Sequence, residues 1–318
     1  MNRLRSEADK MSNDIKRNMN ENNETTICGT LVRGIGSFYT ARDQNGREYT
    51  LRCKKKFRRE KVSPLVGDKV LFIPGQGEEH GWIEEILPRK TFCLRPPVAN
   101  VTLLAVVIAP VPEPDLLLVD RQISRAFSQG INVILIVNKC DIDSTLADKI
   151  RQDYQNTGIT ILAASAKNKT GLEEVRKAMG DGSLCCFTGQ SGAGKSTMLN
   201  ALLDLDLETG DISRKISRGK NTTRHTELIE KNGIRVMDTA GFNLLEAEND
   251  LEPDKLKERY PEFIPYEGFC RFRECLHDKE PDCAVKKAML DGKISEGRLN
   301  RYQILLEEAR EVWRERYD

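Results

Sequence analysis

The sequence is short of several things. It has almost no net charge, with 50 Lys and Arg against 49 Asp and Glu in 318 residues. No overall field therefore draws the chain onto nucleic acid or membrane, and any such binding must come from local patches. Long apolar runs are also missing. The longest, Val101–Pro110, is far too short to span a bilayer. The polar N-terminal stretch 1–26 lacks the apolar core of a secretory signal. These absences predict a cytoplasmic protein without a membrane partner; a monomer is expected. Read in a reducing compartment, the nine cysteines point to buried thiols or metal ligands rather than disulfides.

The chain is long enough for two or three domains, and its composition divides it. Residues 1–24 are charged and Asn-rich, and are expected to form a disordered tail. Residues 25–97 carry five short β-prone runs, "TICGTLV", "SFYTAR", "REYTLRC", "DKVLFI" and "GWIEEIL", separated by Gly- and Asn-bearing turns. That pattern predicts a small barrel, either an OB-fold or an SH3-like one. Over 98–246, apolar runs of strand length alternate with amphipathic segments, which predicts an α/β domain with a parallel sheet. Residues 247–318 are charged and Cys-bearing. They end in a segment whose Leu299, Tyr302, Leu305, Leu306, Ala309, Val312 and Trp313 share one helical face, expected to pack on its own domain.

The α/β region holds a phosphate loop. "GQSGAGKST" comprises Gly189, Gln190, Ser191, Gly192, Ala193, Gly194, Lys195, Ser196 and Thr197. It fits G-x-x-x-x-G-K-[ST], with a strand feeding in and a helix leaving. The glycines let backbone N–H groups wrap phosphates, Lys195 can reach the β- and γ-phosphates, and Ser196 can ligate Mg²⁺.

Other short motifs choose the base. In "NKCD" (Asn138, Lys139, Cys140, Asp141), a carboxylate at Asp141 can accept both N1–H and the exocyclic amine of guanine, a donor pair adenine lacks. Asn138 can hold the base edge and Lys139 can lie along the ring. "SAK" (Ser165, Ala166, Lys167) follows another strand and supplies a second base loop. In "DTAG", Asp238 can hold Mg²⁺ through water and the Gly241 N–H can meet the γ-phosphate. Upstream, "NTTRH" offers Thr223, or less readily Thr222, to the Mg²⁺ shell.

The order of these motifs is unusual. Both base loops precede the phosphate loop, which precedes the switch threonine and "DTAG". This is a cyclic permutation of the ordinary GTPase order, which termini lying close in space permit.

Two further features flank that region. "CRFRECLHDKEPDC" offers Cys270, Cys275, His277 and Cys283, a closed set for one structural Zn²⁺. Arg52–Lys61 holds seven basic residues, one acidic residue and Phe57, and reads as a phosphate-contacting loop whose aromatic ring can stack on a base. The polar switch region, with Arg214, Lys215, Arg218, Lys220 and Arg224, is a second basic segment.

Permuted motif order, preceding barrel and following Cys₃His cluster together resemble the ribosome small-subunit-dependent GTPase A family, from about residue 25 to the end. The resemblance implies an N-terminal OB-fold barrel, a circularly permuted P-loop GTPase domain and a mainly helical C-terminal zinc domain. It implies GTP hydrolysis to GDP, stimulated by the small ribosomal subunit late in its maturation, with docking on rRNA and associated proteins through the flanking domains. Ala240 stands where such GTPases commonly carry Pro, and Phe242 occupies the water-orienting position with an apolar residue, as in the family. Members typically have His before the two switch threonines, where this chain has Asn221. Asn221 can orient a water but cannot act as a base, and His225 lies nearby. The expected catalytic set is Lys195, Asn221, Thr223 and Gly241. The competing reading is an RNA-binding scaffold whose GTP site gates binding with negligible turnover. A zinc-dependent DNA regulator lacks any recognisable reading helix.

Overall fold

The computed structural model describes residues 26–315, apart from 61, 78, 95–96, 181, 205–225 and 240–251. The expected tail 1–24 lies outside the described residues, as do Asn221, Thr222, Thr223, His225, Ala240, Gly241 and Phe242. The chain forms two compact units, one ending at Arg89 and the other starting at Lys90. The division falls before the expected residue 97 because the intervening stretch is tied to the second unit. Lys90 N donates to Asn100 Oδ1 at 2.8 Å and the Thr91 hydroxyl donates to the Val101 carbonyl at 2.6 Å.

The first unit contains β1 (Ile27–Ile35), β2 (Phe38–Asp43), β3 (Glu48–Cys53), α1 (Lys55–Arg59), β4 (Lys69–Ile73) and β5 (Gly81–Ile86). Hydrogen bonding runs β1-β2-β3-β5-β4 and closes from β4 back to β1, with β3–β5 parallel and the other pairs antiparallel. This closure, with a helix between β3 and β4, is the OB arrangement, a distinction that turn residues alone leave open. Strand alternation builds the interior. Leu51 is buried between exposed Thr50 and Arg52, and joins Leu31, Ala41, Val70, Phe72 and Ile83.

Phe57 belongs to that same core. It is 5% exposed, so the expectation that it stacks on a base is corrected. The run "KKFRR" winds into a helix, and its one apolar side chain anchors that helix to the barrel while Lys55, Lys56 and Arg59 are exposed.

The second unit begins with a hairpin of β6 (Phe92–Leu94) and β7 (Pro97–Ala99). The α/β layer follows: β8 (Leu103–Ile108), α2 (Leu116–Ser128), β9 (Asn132–Val137), α3 (Leu146–Asp153), β10 (Thr160–Ala163), α4 (Leu172–Met179), β11 (Leu184–Thr188), α5 (Lys195–Leu203), β12 (Thr226–Lys231) and β13 (Ile234–Thr239). The sheet order is β10-β9-β8-β11-β13-β12, parallel except for the β12–β13 hairpin. Every residue of β8 is buried, as expected of a strand covered on both faces. The hairpin turns at Asn232 (φ 54°) and Gly233 (φ 74°), the left-handed pair that a two-residue connection favours.

Beyond residue 251 come short 3₁₀ segments, then α6 (Ala284–Leu290) and α7 (Glu296–Arg314). Ser295 caps α7 by accepting from Arg298 N. Leu299, Tyr302, Leu305, Leu306 and Ala309 of α7 are buried, with Leu256, Phe263 and Val285 in the same core. The helix therefore packs on its own domain, and Val312 and Trp313 at its end are half-buried. Among the described residues, no helix is long and apolar enough to cross a membrane.

Candidate functional site

The parallel strands β9, β10, β11 and β13 all point the same way, so the segments after them gather at one carboxyl edge of the sheet, the usual ligand edge of an open α/β fold. Each delivers one of the singled-out motifs: Asn138–Asp141 after β9, Ser165–Lys167 just beyond β10, Gly189–Thr197 after β11. Asp238 lies near the end of β13, opposite Glu227 of β12.

The phosphate loop is shaped by close approaches that exclude side chains. Gly189 has φ +129°, and a Cβ there would lie 2.1 Å from the Val107 carbonyl oxygen. Gly194 has φ +93°, and its Cβ would lie 2.3 Å from Asn138 Nδ2. Both positions require glycine on two counts. Ser191 and Gly192 form the exposed tip and Ala193 is buried beneath it. Lys195 opens α5, with Ser196 and Thr197 in the same first turn. Its Nζ donates to the carbonyls of Gly189 (2.8 Å) and Gln190 (3.0 Å), and burial lowers its pKa.

Asn138 joins three loops. It is 2% exposed. Its Nδ2 donates to the Ala193 carbonyl at 2.9 Å, and its Oδ1 accepts from Ala166 N at 3.0 Å. Lys139, at φ 60°, donates from Nζ to the carbonyls of Gly192 (2.8 Å) and Val111 (2.6 Å). Cys140 N donates to the Ala164 carbonyl at 3.1 Å.

Asp141 is exposed. A hydrogen bond from the Ser165 hydroxyl, aided by the charges of Lys167 and Lys139, holds its pKa below the ordinary carboxylate value. Ser165 is fully buried and exchanges backbone hydrogen bonds with Thr170. The two base-loop motifs and the phosphate loop are thus one hydrogen-bonded assembly with an ionised carboxylate at its open side.

Sequence reasoning missed the segment after β8. Val111 lends its carbonyl to Lys139, Asp115 N donates to Gln190 Oε1 at 3.2 Å, and Gln122 Nε2 donates to Thr188 Oγ1 at 3.0 Å. Two of these contacts use backbone atoms, which leave no side-chain signature to read. Gln122 sits in an amphipathic helix and looks there like any other polar position.

The four C-terminal ligand candidates converge. Their ligand atoms all lie within 4.8 Å of one another. Cys270 and Cys283 Sγ are 3.9 Å apart, and His277 Nδ1 lies 3.7 Å from Cys270 Sγ and 3.3 Å from Cys283 Sγ. A tetrahedron with Zn–S legs of about 2.3 Å has edges near about 3.8 Å, shorter where nitrogen replaces sulfur. The sulfur separation is far beyond a disulfide bond of about 2.05 Å. The donor set and its spacing therefore fit a closed four-coordinate metal. His277 adopts φ +61°; its Nδ1 lies on the side of the sulfurs while Nε2 faces Glu267 Oε1 at 3.9 Å.

Comparison with known proteins agrees with this geometry. A family model described as RsgA GTPase matches residues 86–248, and one described as RsgA N-terminal domain matches residues 28–83. The chain is 39% identical over 290 residues to a small ribosomal subunit biogenesis GTPase RsgA of Ruminiclostridium cellulolyticum, covering 89% of this chain and 94% of that protein. It is 40% identical over 291 residues to the protein of that name from a Geobacillus species, covering 89% and 97%. Among solved structures it resembles YjeQ from Thermotoga maritima, with a TM-score of 0.78 and 30% identity over 89% of this chain and 98% of that one. It also resembles YloQ, described as a circularly permuted GTPase, with a TM-score of 0.74 and 29% identity over 90% and 96%.

Proposed function

We propose, from the premise that the chain belongs to the RsgA family and is a GTP-hydrolysing enzyme of ribosome biogenesis, that it acts on the small ribosomal subunit as a late maturation checkpoint. The GTP-bound form docks on rRNA and associated proteins through the barrel and the C-terminal domain, and hydrolysis, stimulated by the subunit, releases it. The protein works as a cytoplasmic monomer.

The observation carrying this reading is the double hydrogen bond of Asn138, to Ala193 in the phosphate loop and Ala166 in the second base loop. A rigid link between base-reading and phosphate-holding segments is what nucleotide positioning requires. Within the site, Asp141 accepts the guanine donor pair, Ser165 holds that carboxylate in place, and Ala166 and Lys167 flank the base beside Lys139 and Cys140. The backbone from Gly189 to Gly194 wraps the phosphates, and Lys195 turns from the loop carbonyls to the β- and γ-oxygens. Ser196 and Thr223 would hold Mg²⁺, with Asp238 acting on it through water, and the bound ion would neutralise phosphate charge. Gly241 N–H meets the γ-phosphate and Asn221 orients the attacking water. Cys270, Cys275, His277 and Cys283 hold one Zn²⁺ with no ligand position left open, a structural role.

Turnover of GTP with and without purified small subunits tests the reading. Acceleration by subunits is expected. Binding of subunits without acceleration would favour the scaffold reading, in which GTP only gates RNA binding.

A further inference from the structure

Helix α2 stands between the phosphate loop and the C-terminal domain, and it is fastened to both. On one side, Gln122 Nε2 donates to the hydroxyl of Thr188, the residue before Gly189, and both side chains are buried. The start of the helix is tied to the same loop. Asp115 caps it by accepting from Leu118 N at 2.9 Å, and Asp115 N donates to Gln190. On the other side, Asp120 is fully buried and accepts from three groups. These are Arg298 Nη1 at 2.6 Å, Arg301 Nε at 2.5 Å and the Tyr154 hydroxyl at 2.5 Å. Arg298 is 1% exposed and also donates to Glu262 at 2.8 Å, while Arg301 reaches Asp153 of α3 at 2.6 Å. Residues two apart on a helix point about 200° from each other. Asp120 and Gln122 therefore face opposite ways, one to the C-terminal domain and one to the phosphate loop.

A buried guanidinium between carboxylates is costly to disturb, because loss of one partner strands the other's charge. Burial alone would weaken protonation of Arg298, but Asp120 and Glu262 more than offset it and hold its pKa well above the ordinary value. The same helix α2 that carries Asp120 is hydrogen-bonded to Thr188 and Gln190.

We propose that Gln122 and the Asp120–Arg298–Arg301 cluster are positioning residues for the nucleotide, so that the docked C-terminal domain holds the phosphate loop in its binding shape through α2. None of them touches the reacting atoms. The coupling is reciprocal by thermodynamic linkage, so nucleotide also tightens the dock. The inference rests on the reading of the Gly189–Thr197 loop as a guanine-nucleotide site.

The test is the release rate of a fluorescent GDP analogue from the full-length protein, with metal content and thermal unfolding measured on the same samples. Gln122→Ala and Arg301→Gln should each speed release at least about fivefold while metal stays bound. The double variant should release no faster than the faster single one, since both act on one device. A purely structural role would lower the unfolding temperature and leave release unchanged. Arg298→Met should release fastest; should it fail to fold, Arg301→Gln, at the edge of the cluster, and Gln122→Ala carry the test. Unchanged release in Gln122→Ala overturns the proposal whatever the arginine variants do, and so does simple multiplication of effects in the double variant. Failure of the parent protein to bind the GDP analogue would instead remove the functional reading beneath it.

Discussion

At Asp141, base choice in the proposed site rests on one exposed carboxylate that the Ser165 hydroxyl keeps ionised. Asp141→Asn exchanges an acceptor for a donor, so preference should move from guanine to xanthine nucleotides. Competition of labelled GTP against ATP and XTP measures this, and equal ATP and GTP affinity in the parent would refute the assignment. Gly194 makes a second residue-level case. A methyl group there would sit 2.3 Å from Asn138 Nδ2 at a φ of +93°, so Gly194→Ala must displace the side chain that joins the loops. Guanine-nucleotide affinity should fall at least about tenfold, roughly 1.4 kcal/mol, with little change in barrel stability. Binding titration alongside denaturant unfolding separates the two. At the metal site, Cys275→Ser leaves only three of the converging ligands. One zinc per parent chain is expected, with loss of metal and loosening beyond about residue 251 in the variant; absence of metal from a reduced parent preparation would contradict this.

Among the elements, β1–β5 and the α/β strands were legible because alternation and uninterrupted apolar runs are properties of adjacent residues. The order of the barrel strands was not, since the parallel β3–β5 pair depends on residues far apart in sequence. Helix α1 was misread for a related reason. Its charge made it a surface element, which it is, but local pattern could not say that Phe57 would turn inward. This gives α1 two separable roles. Phe57→Ala should destabilise the barrel by about 3–5 kcal/mol, the usual cost of emptying a buried aromatic site, as read by denaturant unfolding. Neutralising Lys54, Lys55, Lys56, Arg58 and Arg59 should instead leave folding intact, weaken subunit binding and flatten its salt dependence. Lys54, already paired with Glu84, should contribute least. Unchanged affinity across a salt series would place these cations on a merely solvated face. At the nucleotide site, the motifs were readable because each is a run of neighbours. The 109–115 segment was not, because it contributes carbonyl and amide groups that any sequence supplies.

For the whole molecule, the permuted order places the C-terminal domain directly after "DTAG", the segment that the proposed function sets against the γ-phosphate. An ordinary motif order would send that chain back into the sheet. On the proposed reading, nucleotide state reaches the C-terminal domain along the chain itself, as in other nucleotide switches. The same arrangement bears on turnover. Neither Phe242 nor Asn221 can serve as a general base, so the free protein should hydrolyse GTP slowly. Phosphoryl transfer depends mainly on positioning and electrostatics, and docking on RNA would neutralise the basic switch segment and hold Asn221 and Thr223 near the γ-phosphate. Subunits should then accelerate hydrolysis at least about tenfold, or roughly 1.4 kcal/mol of barrier. Asn221→Ala should lower the stimulated rate more than it lowers nucleotide affinity, because a water-orienting group acts in the transition state and not in ground-state binding. Should His225→Ala abolish stimulation while Asn221→Ala changes nothing, the orienting role belongs to His225, and the departure from the family's usual histidine position is a shift along the loop.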